Sequence, residues 1–259
     1  MPNEHLEVSA CIITYNREEF LYEALRSLAE QSLKPESYEV ILVDNNSTDS
    51  TPQIAERFYQ DYPHINFISV IEEKQGESAA RNRAVLEANA PLVAFIDDDA
   101  IATHDYLHRV VDFFTNHTNV MAGGGKILPY FHPSGEKPDW LSHYLLGLVS
   151  CVDLGDEIKP FPKYPIGCNM IFRKAVFDQL GNFDSRLGRK KRNLIGSSEK
   201  EMFIRMKQQK MPIYYLPDAL VYHTMPEERI SMDFIGRMSI GMGQSERIRL
   251  QNSNVSQKT

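Results

Sequence analysis

The chain has 259 residues, of which 42% are hydrophobic and 24% are charged, and its formal net charge is −7. This composition is that of a globular protein with enough apolar residues for a large core, and the acidic balance disfavours general binding to nucleic acid. Three cysteines without metal-ligand spacing indicate a reducing compartment and no disulfide framework. No apolar run approaches the ~18 residues that span a bilayer, and the first residues lack the pattern of a signal peptide. We therefore expect a cytoplasmic protein.

The first half of the chain alternates predicted strands with predicted helices. Short runs rich in β-branched and other apolar residues predict four buried strands. Apolar residues at helical spacing, with Ser, Thr or Pro near the starts, predict four helices. The strands are residues 8–14, 39–44, 65–71 and 91–96, and the helices are residues 18–31, 52–62, 77–88 and 103–117. This order predicts an α/β, Rossmann-like fold with a mostly parallel central sheet and helices on both faces.

The second half is less regular and predicts a smaller region that completes the same domain. Its segments show strand and helix patterns without a repeating order. They are a strand at 120–129, a strand and helix at 167–184, a helix at 198–210, short strands at 212–217 and 219–223, and an amphipathic helix at 227–250. The remaining residues, 251–259, are polar, and we expect them to be disordered.

Polar residues end three of the predicted strands. Asp97–Asp99 end the fourth strand, Asp44 ends the second, and Thr14–Asn16 end the first. The carboxyl ends of parallel strands share one edge of the sheet, where ligands bind, so we expect these groups to lie together. Adjacent carboxylates repel one another and need a counter-charge, water or a shifted pKa. Mg²⁺ or Mn²⁺ would supply that counter-charge while it also binds the phosphate oxygens of a substrate. The alternative is that the three carboxylates belong to a solvated loop before a helix.

Several segments of the chain resemble, in the same order, the motifs of the family-2 glycosyltransferases. They are "IITYNREEFLYEALRSL", "EVILVDNNSTDST", "QGESAARNRAV", "VAFIDDDA", "GCNMIFRKAVFDQLGNFD", "SSEKEMFIRM" and the strand with its histidine in "YLPDALVYH". The resemblance covers residues 6–224. It implies the GT-A fold and an inverting enzyme that uses a nucleotide sugar and a divalent metal, Mn²⁺ or Mg²⁺.

The resemblance also implies a division of the chain. One GT-A glycosyltransferase domain would cover residues 1–226, with a nucleotide-binding half at 1–118 and an acceptor half at 119–226. The C-terminal helix and polar tail would follow as residues 227–259.

The nucleotide site follows from the same resemblance. It implies that Thr14, Tyr15 and Asn16 border the nucleotide. It further implies that Asp44 hydrogen-bonds the base and that Arg81 lies near the nucleotide or its phosphates.

The metal site is implied by the resemblance in the same way. Asp97 and Asp98 would share contacts to the ribose and to metal-bound water, and Asp99 would ligate the metal directly. His223, at the end of a predicted strand, is a second candidate for the metal or diphosphate, with an ordinary structural role as the alternative.

The general base falls where the chain departs from the family's usual pattern. The usual adjacent pair of acidic residues is replaced by Ser198 and Glu199, with Glu201 two residues further on. Alignment on Arg205 puts Glu199 at the position of the family's base, so we predict Glu199 as the base, with Glu201 as the alternative.

Two basic segments allow alternative interpretations. The run 186–192 has five positive charges. It can be interpreted as a solvated loop, as a lid or as a contact to an anionic acceptor. The stretch 229–259 carries five basic and two acidic residues together with apolar side chains. Such a helix can lie on an anionic membrane surface, and the alternatives are packing on its own domain or on a second copy in a homodimer.

Together these observations predict a metal-dependent glycosyltransferase that moves a sugar, with inversion, from a nucleotide-sugar donor to a hydroxyl of a glycan or lipid-linked saccharide. A UDP-sugar is the favoured donor. One alternative is a sugar-1-phosphate nucleotidyltransferase, but such an enzyme would need a glycine-rich segment after the first strand, and "TYNREEF" lacks it. The other alternative is a sugar-nucleotide-binding module without catalysis. No nucleic-acid partner is expected, and the location is cytoplasmic or peripheral at the inner face of the cell membrane.

Overall fold

The computed structural model of the protein describes residues 6–188 and 198–256. Most of the basic run 186–192 and the end of the polar tail lie outside the described residues. The strands are Val8–Thr14 (β1), Tyr38–Asp44 (β2), Phe67–Ile71 (β3), Leu92–Asp97 (β4), Ala100–Ala102 (β5), Ala122–His132 (β6), Lys159–Pro160 (β7), Asn169–Arg173 (β8) and Ile213–Pro226 (β9). The helices are Glu18–Ala29 (α1), Thr51–Asp61 (α2), Glu77–Glu87 (α3), Tyr106–Asn116 (α4), His143–Leu146 (α5), Ala175–Leu180 (α6), Ser198–Gln208 (α7) and Met232–Ser256 (α8).

The strands form one sheet in the order β3-β2-β1-β4-β8-β6-β9-β5, with β7 paired to β9. The first four strands in this order are parallel, as the alternation of strands and helices predicted. In the second half β6 is parallel to β9, whereas β8 is antiparallel to both β4 and β6. The sheet therefore joins a parallel half to a mixed second half without a break.

The core fills both faces of this sheet, because successive residues of each buried strand point to opposite sides. On one face α1, α2 and α4 pack over side chains such as Ile12 and Leu42. On the other face α3, α6 and α7 pack over side chains such as Cys11 and Val43. A third, smaller apolar cluster joins the far ends of β6 and β9 to α5 and to the start of α8. Both faces are covered, as predicted, and the ligand edge of the parallel strands is left accessible.

The prediction of two short strands near the C-terminus was wrong, because the structure has the single strand β9. Pro217 and Asp218 interrupt the apolar pattern, but the pairing with β6 shifts register between Gly125 and Ile127. The extra residues of β9 are absorbed at this irregularity, so the strand continues past them.

The predicted bounds of the C-terminal helix were also wrong. Helix α8 begins at Met232 and continues to Ser256, so most of the polar tail is helical. The segment before it forms a turn, and the Ser231 hydroxyl accepts the N–H of Phe234 at 3.2 Å, which caps the first turn of the helix. Ile235 and Met238 of α8 are buried against the domain. Within residues 6–188 and 198–256, no helix combines the length and apolar content that crossing a membrane requires.

Candidate active site

The three adjacent carboxylates of the sequence lie at the floor of a cavity of about 280 Å³. Asp97 is the last residue of β4, and Asp98 and Asp99 form the turn into β5. The cavity lies at the carboxyl edge of the parallel strands, as the strand order predicted. Its walls include Thr14 at the end of β1, Tyr15 and Arg17 just after it, Gly76 and Glu77 at the start of α3, and Arg229 before α8.

Three nitrogen-bearing side chains converge on the buried carboxylate of Asp99. Its Oδ2 atom lies 3.1 Å from Arg17 Nη2 and 2.9 Å from Arg229 Nη2. Its Oδ1 atom lies 3.0 Å from His223 Nε2. Burial by itself would raise the pKa of Asp99, but His223, Arg229 and Arg17 outweigh burial and hold the pKa well below its ordinary value. Asp99 is therefore the ionised member of the cluster, and protein side chains supply its counter-charge.

Asp98 has a different environment from that of its neighbour. The Thr14 hydroxyl donates to Asp98 Oδ2 at 2.7 Å, and Arg17 Nε lies 3.8 Å from Asp98 Oδ1. Burial, and then the negative charge of Asp99, raise the pKa of Asp98 to about 7. The same two causes raise the pKa of Asp97. A bound cation would oppose both causes and favour the ionised forms of Asp97 and Asp98, so the cluster suits a cation-binding site.

His223 has the orientation of a metal ligand. Its Nδ1 atom lies 3.1 Å from the carbonyl oxygen of Val149, and a carbonyl can only accept, so Nδ1 carries the proton. Nε2 then faces the Asp99 carboxylate at 3.0 Å, and a hydrogen bond from Nδ1 to a carbonyl is the contact that orients metal-ligating histidines. Ligand atoms of Asp97, Cys168 and His223 also lie within 4.8 Å of one another. Burial, and next the charge of Asp97, raise the pKa of the Cys168 thiol, so it stays protonated. The carboxylates fit Mn²⁺ or Mg²⁺.

Of the residues predicted to border the nucleotide after β1, Thr14 and Tyr15 line the cavity. Asn16 instead joins two loops, because its Oδ1 atom accepts the N–H of Thr48 at 2.7 Å and its own N–H donates to Ser47 Oγ at 2.9 Å. Asn16 has a φ of 52°, which asparagine tolerates better than most residues. Its structural role is to hold the loops after β1 and β2 together.

Asp44 and its neighbour Asn45 occupy different environments. Asp44 Oδ1 accepts the N–H of Ser47 at 2.8 Å, and the side chain borders a second cavity of about 410 Å³ between α2 and β3. Asn45 lines the cavity above the carboxylates. Its amide nitrogen donates to the carbonyls of Glu72 and Lys74, both at 2.9 Å, and fixes the loop before α3. Sequence reasoning missed Asn45, although its place directly after a strand end was a usable signal.

Arg81 does not project into the cavity but connects α3 to α7. It is 2% exposed, and its Nη2 atom lies 2.7 Å from Glu77 Oε1. Its Nη1 atom lies 2.8 Å from Ser198 Oγ and 3.3 Å from Glu199 Oε2. Gly167 makes this possible, because a Cβ atom at that position would collide with the Arg81 guanidinium. Its partner Glu77 lines the cavity.

The two candidates for the general base are held differently. The side chain of Glu199 is 21% exposed and lies at the start of α7 beside Arg81. Glu201 forms a two-point ion pair with Arg205, with nitrogen–oxygen distances of 2.9 Å. Arg205 also donates to the carbonyls of Leu180 and Asn182, at 2.6 and 2.9 Å. Glu201 therefore belongs to a structural connection between α7 and the loop after α6.

Arg17 and Arg229 were not predicted as site residues. Arg17 follows "TYN" directly, and its position after a strand end was a usable signal. Arg229 lies six residues after His223 in a turn whose path the sequence does not reveal. Only the fold brings Arg229 to Asp99.

Comparison with known proteins identifies the family. Residues 9–181 match the family described as "Glycosyl transferase family 2". This match covers more than half of the chain, which therefore belongs to glycosyltransferase family 2. The resemblance seen in the motifs is confirmed, and so is the enzyme class, a hexosyltransferase-type glycosyltransferase.

Two similar proteins match nearly the whole chain. The glucosyl-dolichyl phosphate glucuronosyltransferase of Haloferax volcanii is 28% identical over 249 residues, which are 94% of this chain and 77% of the relative. The succinoglycan biosynthesis protein ExoM of Rhizobium meliloti is 26% identical over 254 residues, 95% of this chain and 75% of the relative. Another relative, the glycosyltransferase AglE of Haloferax volcanii, is 32% identical over only 49% of this chain and 41% of its own length.

Solved structures share the fold at low sequence identity. The mannosyltransferase PcManGT of Pyrobaculum calidifontis, in complex with GDP-Man and Mn²⁺, has a TM-score of 0.63 and 21% identity, with 86% of this chain and 58% of that chain covered. TarS of S. aureus, residues 1–349 in complex with UDP-GlcNAc, has a TM-score of 0.61 and 22% identity, with 85% and 59% covered. These similarities confirm the α/β GT-A fold.

Proposed function

We propose that this protein transfers a sugar from a UDP-sugar to a hydroxyl of a glycan or lipid-linked saccharide, with a divalent cation and with inversion. The observation that carries the proposal is the pairing of the Asp99 carboxylate, which lines the cavity at the strand edge, with His223 Nε2 at 3.0 Å. A carboxylate is a ligand that Mn²⁺ and Mg²⁺ prefer, and the contact with Val149 orients the imidazole beside it as a second ligand.

The donor would occupy the cavity above the carboxylates. Its nucleoside would lie against Thr14, Tyr15 and Asn45, which border the cavity on the side of β1 and β2. Its ribose would contact Asp97 or Asp98. Uridine is favoured over other nucleosides by analogy only, since TarS is solved with UDP and UDP-GlcNAc whereas PcManGT is solved with GDP-Man and Mn²⁺.

The metal would be held by Asp99 and His223, with Asp97 or Asp98 near its water shell. When bound, it would neutralise charge on the departing diphosphate. The protein's own contribution is to hold His223 through the Val149 carbonyl and to keep Asp99 ionised.

The transfer itself would be a single in-line displacement. The bond from the acceptor oxygen to the anomeric carbon forms as the bond from that carbon to the diphosphate oxygen breaks, and the electron pair leaves with the diphosphate. The acceptor proton passes to Glu199, whose side chain is partly exposed. Glu201 is a poorer candidate because Arg205 already pairs with it at two points.

The acceptor side and the C-terminal helix are linked in this proposal. Helix α8 presents Met232, Ile240 and Met242 as exposed apolar side chains beside the exposed Arg237. A lipid-linked acceptor would bring the enzyme to a membrane surface, where such a helix can bind. The alternative occupant of this surface is a second copy of the chain.

A panel of nucleotide sugars tests the proposed function. The purified protein is mixed with UDP-glucose, UDP-glucuronic acid, UDP-GlcNAc or GDP-mannose, with Mn²⁺, Mg²⁺ or EDTA, and with saccharide and lipid-linked acceptors. We expect nucleoside diphosphate release that requires an acceptor and a metal, and NMR of the product should show the inverted anomer. Release of pyrophosphate from UTP with a sugar 1-phosphate would instead indicate a nucleotidyltransferase, and donor binding without product would indicate a binding module.

A further inference from the structure

The guanidinium of Arg229 spans the two residues that we propose as metal ligands. Its Nη2 atom lies 2.9 Å from Asp99 Oδ2, and its Nη1 atom lies 2.6 Å from His223 Nε2. The side chain is 13% exposed. A cation of the protein itself therefore lies against both proposed ligands, and it borders the donor cavity.

Arg229 reaches this position from an anchored turn. Its N–H donates to the carbonyl of Pro226 at 2.9 Å, directly after β9 ends. The next residue, Ile230, is buried in the apolar cluster that also holds Ile235 of α8 and Met225 of β9. The backbone on both sides of Arg229 is thus fixed, so its long side chain is the part that can change partner.

The charges of the cluster favour such a change of partner. Asp97–Asp99 supply three carboxylates, and Arg17 and Arg229 supply two fixed positive charges beside Asp99. A divalent cation on Asp99 and His223 would add two positive charges beside these guanidinium groups. The cation would also compete with Arg229 for Asp99 and His223. The displaced guanidinium at the cavity wall would then need a new anion. Guanidinium groups bind phosphate oxygens by two parallel hydrogen bonds.

We propose that Arg229, together with Arg17, binds the diphosphate of the donor. This inference rests on the proposed function and adds a binding site for the leaving group that is carried by the segment between β9 and α8. Asp99 and His223 hold Arg229 at the cavity wall until the diphosphate arrives. Arg229 then adds positive charge where the breaking bond leaves negative charge, which favours the transition state over the ground state.

The test separates recognition of the diphosphate from recognition of the nucleoside. Calorimetry measures UDP and UMP binding to the wild type, Arg229→Gln and Arg229→Lys, each with Mn²⁺ and with EDTA; GDP and GMP are measured in parallel. We expect Arg229→Gln to weaken binding of the diphosphate at least about tenfold, the loss of a hydrogen bond between charged groups, and to leave binding of the monophosphate little changed. Arg229→Lys should bind the diphosphate more tightly than Arg229→Gln but less tightly than the wild type, because lysine retains the positive charge without the two parallel donors of a guanidinium.

A matched control comes from α8 itself. Arg237 pairs with Asp233 at 2.9 Å on the exposed face of the helix, so Arg237→Gln should change neither affinity. Thermal unfolding of each variant shows whether the fold is retained. Retention of tight UDP binding in Arg229→Gln, or equal weakening of UDP and UMP, overturns the proposal, because Arg229 would then only stabilise Asp99.

If Arg229→Gln binds Mn²⁺ more tightly but binds UDP as the wild type does, the proposal is also overturned, since Arg229 would then only occupy the place of the metal. A wild type that does not prefer the diphosphate over the monophosphate overturns it as well. The panel of nucleotide sugars decides the proposed function independently, because sugar transfer can occur whether or not Arg229 contacts the diphosphate.

Discussion

Arg81 Nη1 lies 3.3 Å from Glu199 Oε2, and this contact ties α3 to the proposed general base. Arg81 is buried and also pairs with Glu77, which lines the donor cavity. The guanidinium therefore connects the wall of this cavity to the start of α7. Removing one carboxylate leaves the other, so the fold should tolerate neutralisation of Glu199.

Replacing the proposed base is the most direct test of the mechanism. Glu199→Gln keeps the shape of the side chain but cannot accept the acceptor proton. We expect kcat to fall by about 10²–10⁴-fold, as for other positioned bases, while donor affinity stays nearly unchanged. Steady-state kinetics and calorimetry measure the two quantities.

Glu201→Gln is the matched control for that experiment. It removes the ion pair with Arg205, so it should lower thermal stability slightly and leave kcat close to that of the wild type. An inactive Glu201 variant beside a fully active Glu199 variant would move the base to Glu201. Normal turnover in both would place the base outside α7.

The parts of this fold that the sequence predicted are those with local patterns. The alternation of apolar runs and helical stripes gives β1 to β4 and α1 to α4, and strand ends at one edge bring Asp97–Asp99 and Thr14 together. Arg229 could not be predicted in the site, because its contact with Asp99 joins residues 130 positions apart through a turn of unknown path. The continuity of β9 was hidden for a similar reason, since it depends on pairing with β6 and not on local propensity.

The metal site is tested by Asp99→Asn. Asp99 is the carboxylate whose pKa the surrounding nitrogens hold low, so it is the member of the cluster that offers full charge to a cation. In the wild type, Mn²⁺ should tighten UDP binding and raise the melting temperature, because ligands of the native state stabilise it. Asp99→Asn should lose most of both effects. Equal UDP affinity with Mn²⁺ and with EDTA in the wild type would exclude the metal from donor binding.

A close contact in the second half of the sheet predicts a large loss of stability. A Cβ atom on Gly125 would collide with the carbonyl oxygen of Ala219 and with the amide of Asn169. That amide donates to the Ala219 carbonyl at 2.8 Å and ties β8 to β9. Gly125→Ala should therefore cost about 2–4 kcal/mol of unfolding free energy through overpacking and a lost hydrogen bond. Gly147→Ala is the control, since nothing lies within 4 Å of its added Cβ; similar urea midpoints for the two variants would contradict this account.

The base of the nucleotide provides a fourth test, with two neighbouring residues compared. Asp44 was predicted to bind the base, but its carboxylate accepts the N–H of Ser47 and borders a separate cavity. If a bound base nevertheless reaches Asp44, Asp44→Ala should weaken UDP binding by about 1–3 kcal/mol with or without metal. Asn45→Ala should loosen the loop before α3 and weaken binding as well. Unchanged affinity in Asp44→Ala alone would assign the base contact to the Asn45 side of the cavity.

The last prediction concerns the surface of α8. Ile240 is 64% exposed and Met242 is 47% exposed, on a helix that packs on the domain through Ile235 and Met238. Ile240 and Arg237 lie outside the face that Ile235 and Met238 use, whereas Met242 extends that face four residues beyond Met238. Exposed apolar and basic side chains of this kind suit an anionic membrane surface. Co-sedimentation with vesicles that contain anionic lipid should show binding at low salt that weakens as salt screens the charges. Ile240→Ser with Met242→Ser should reduce binding at every salt concentration, whereas Gly147→Ala should not change it. Protein that stays in the supernatant at low salt and sediments in the ultracentrifuge as a dimer would show that this surface binds a second copy of the chain instead.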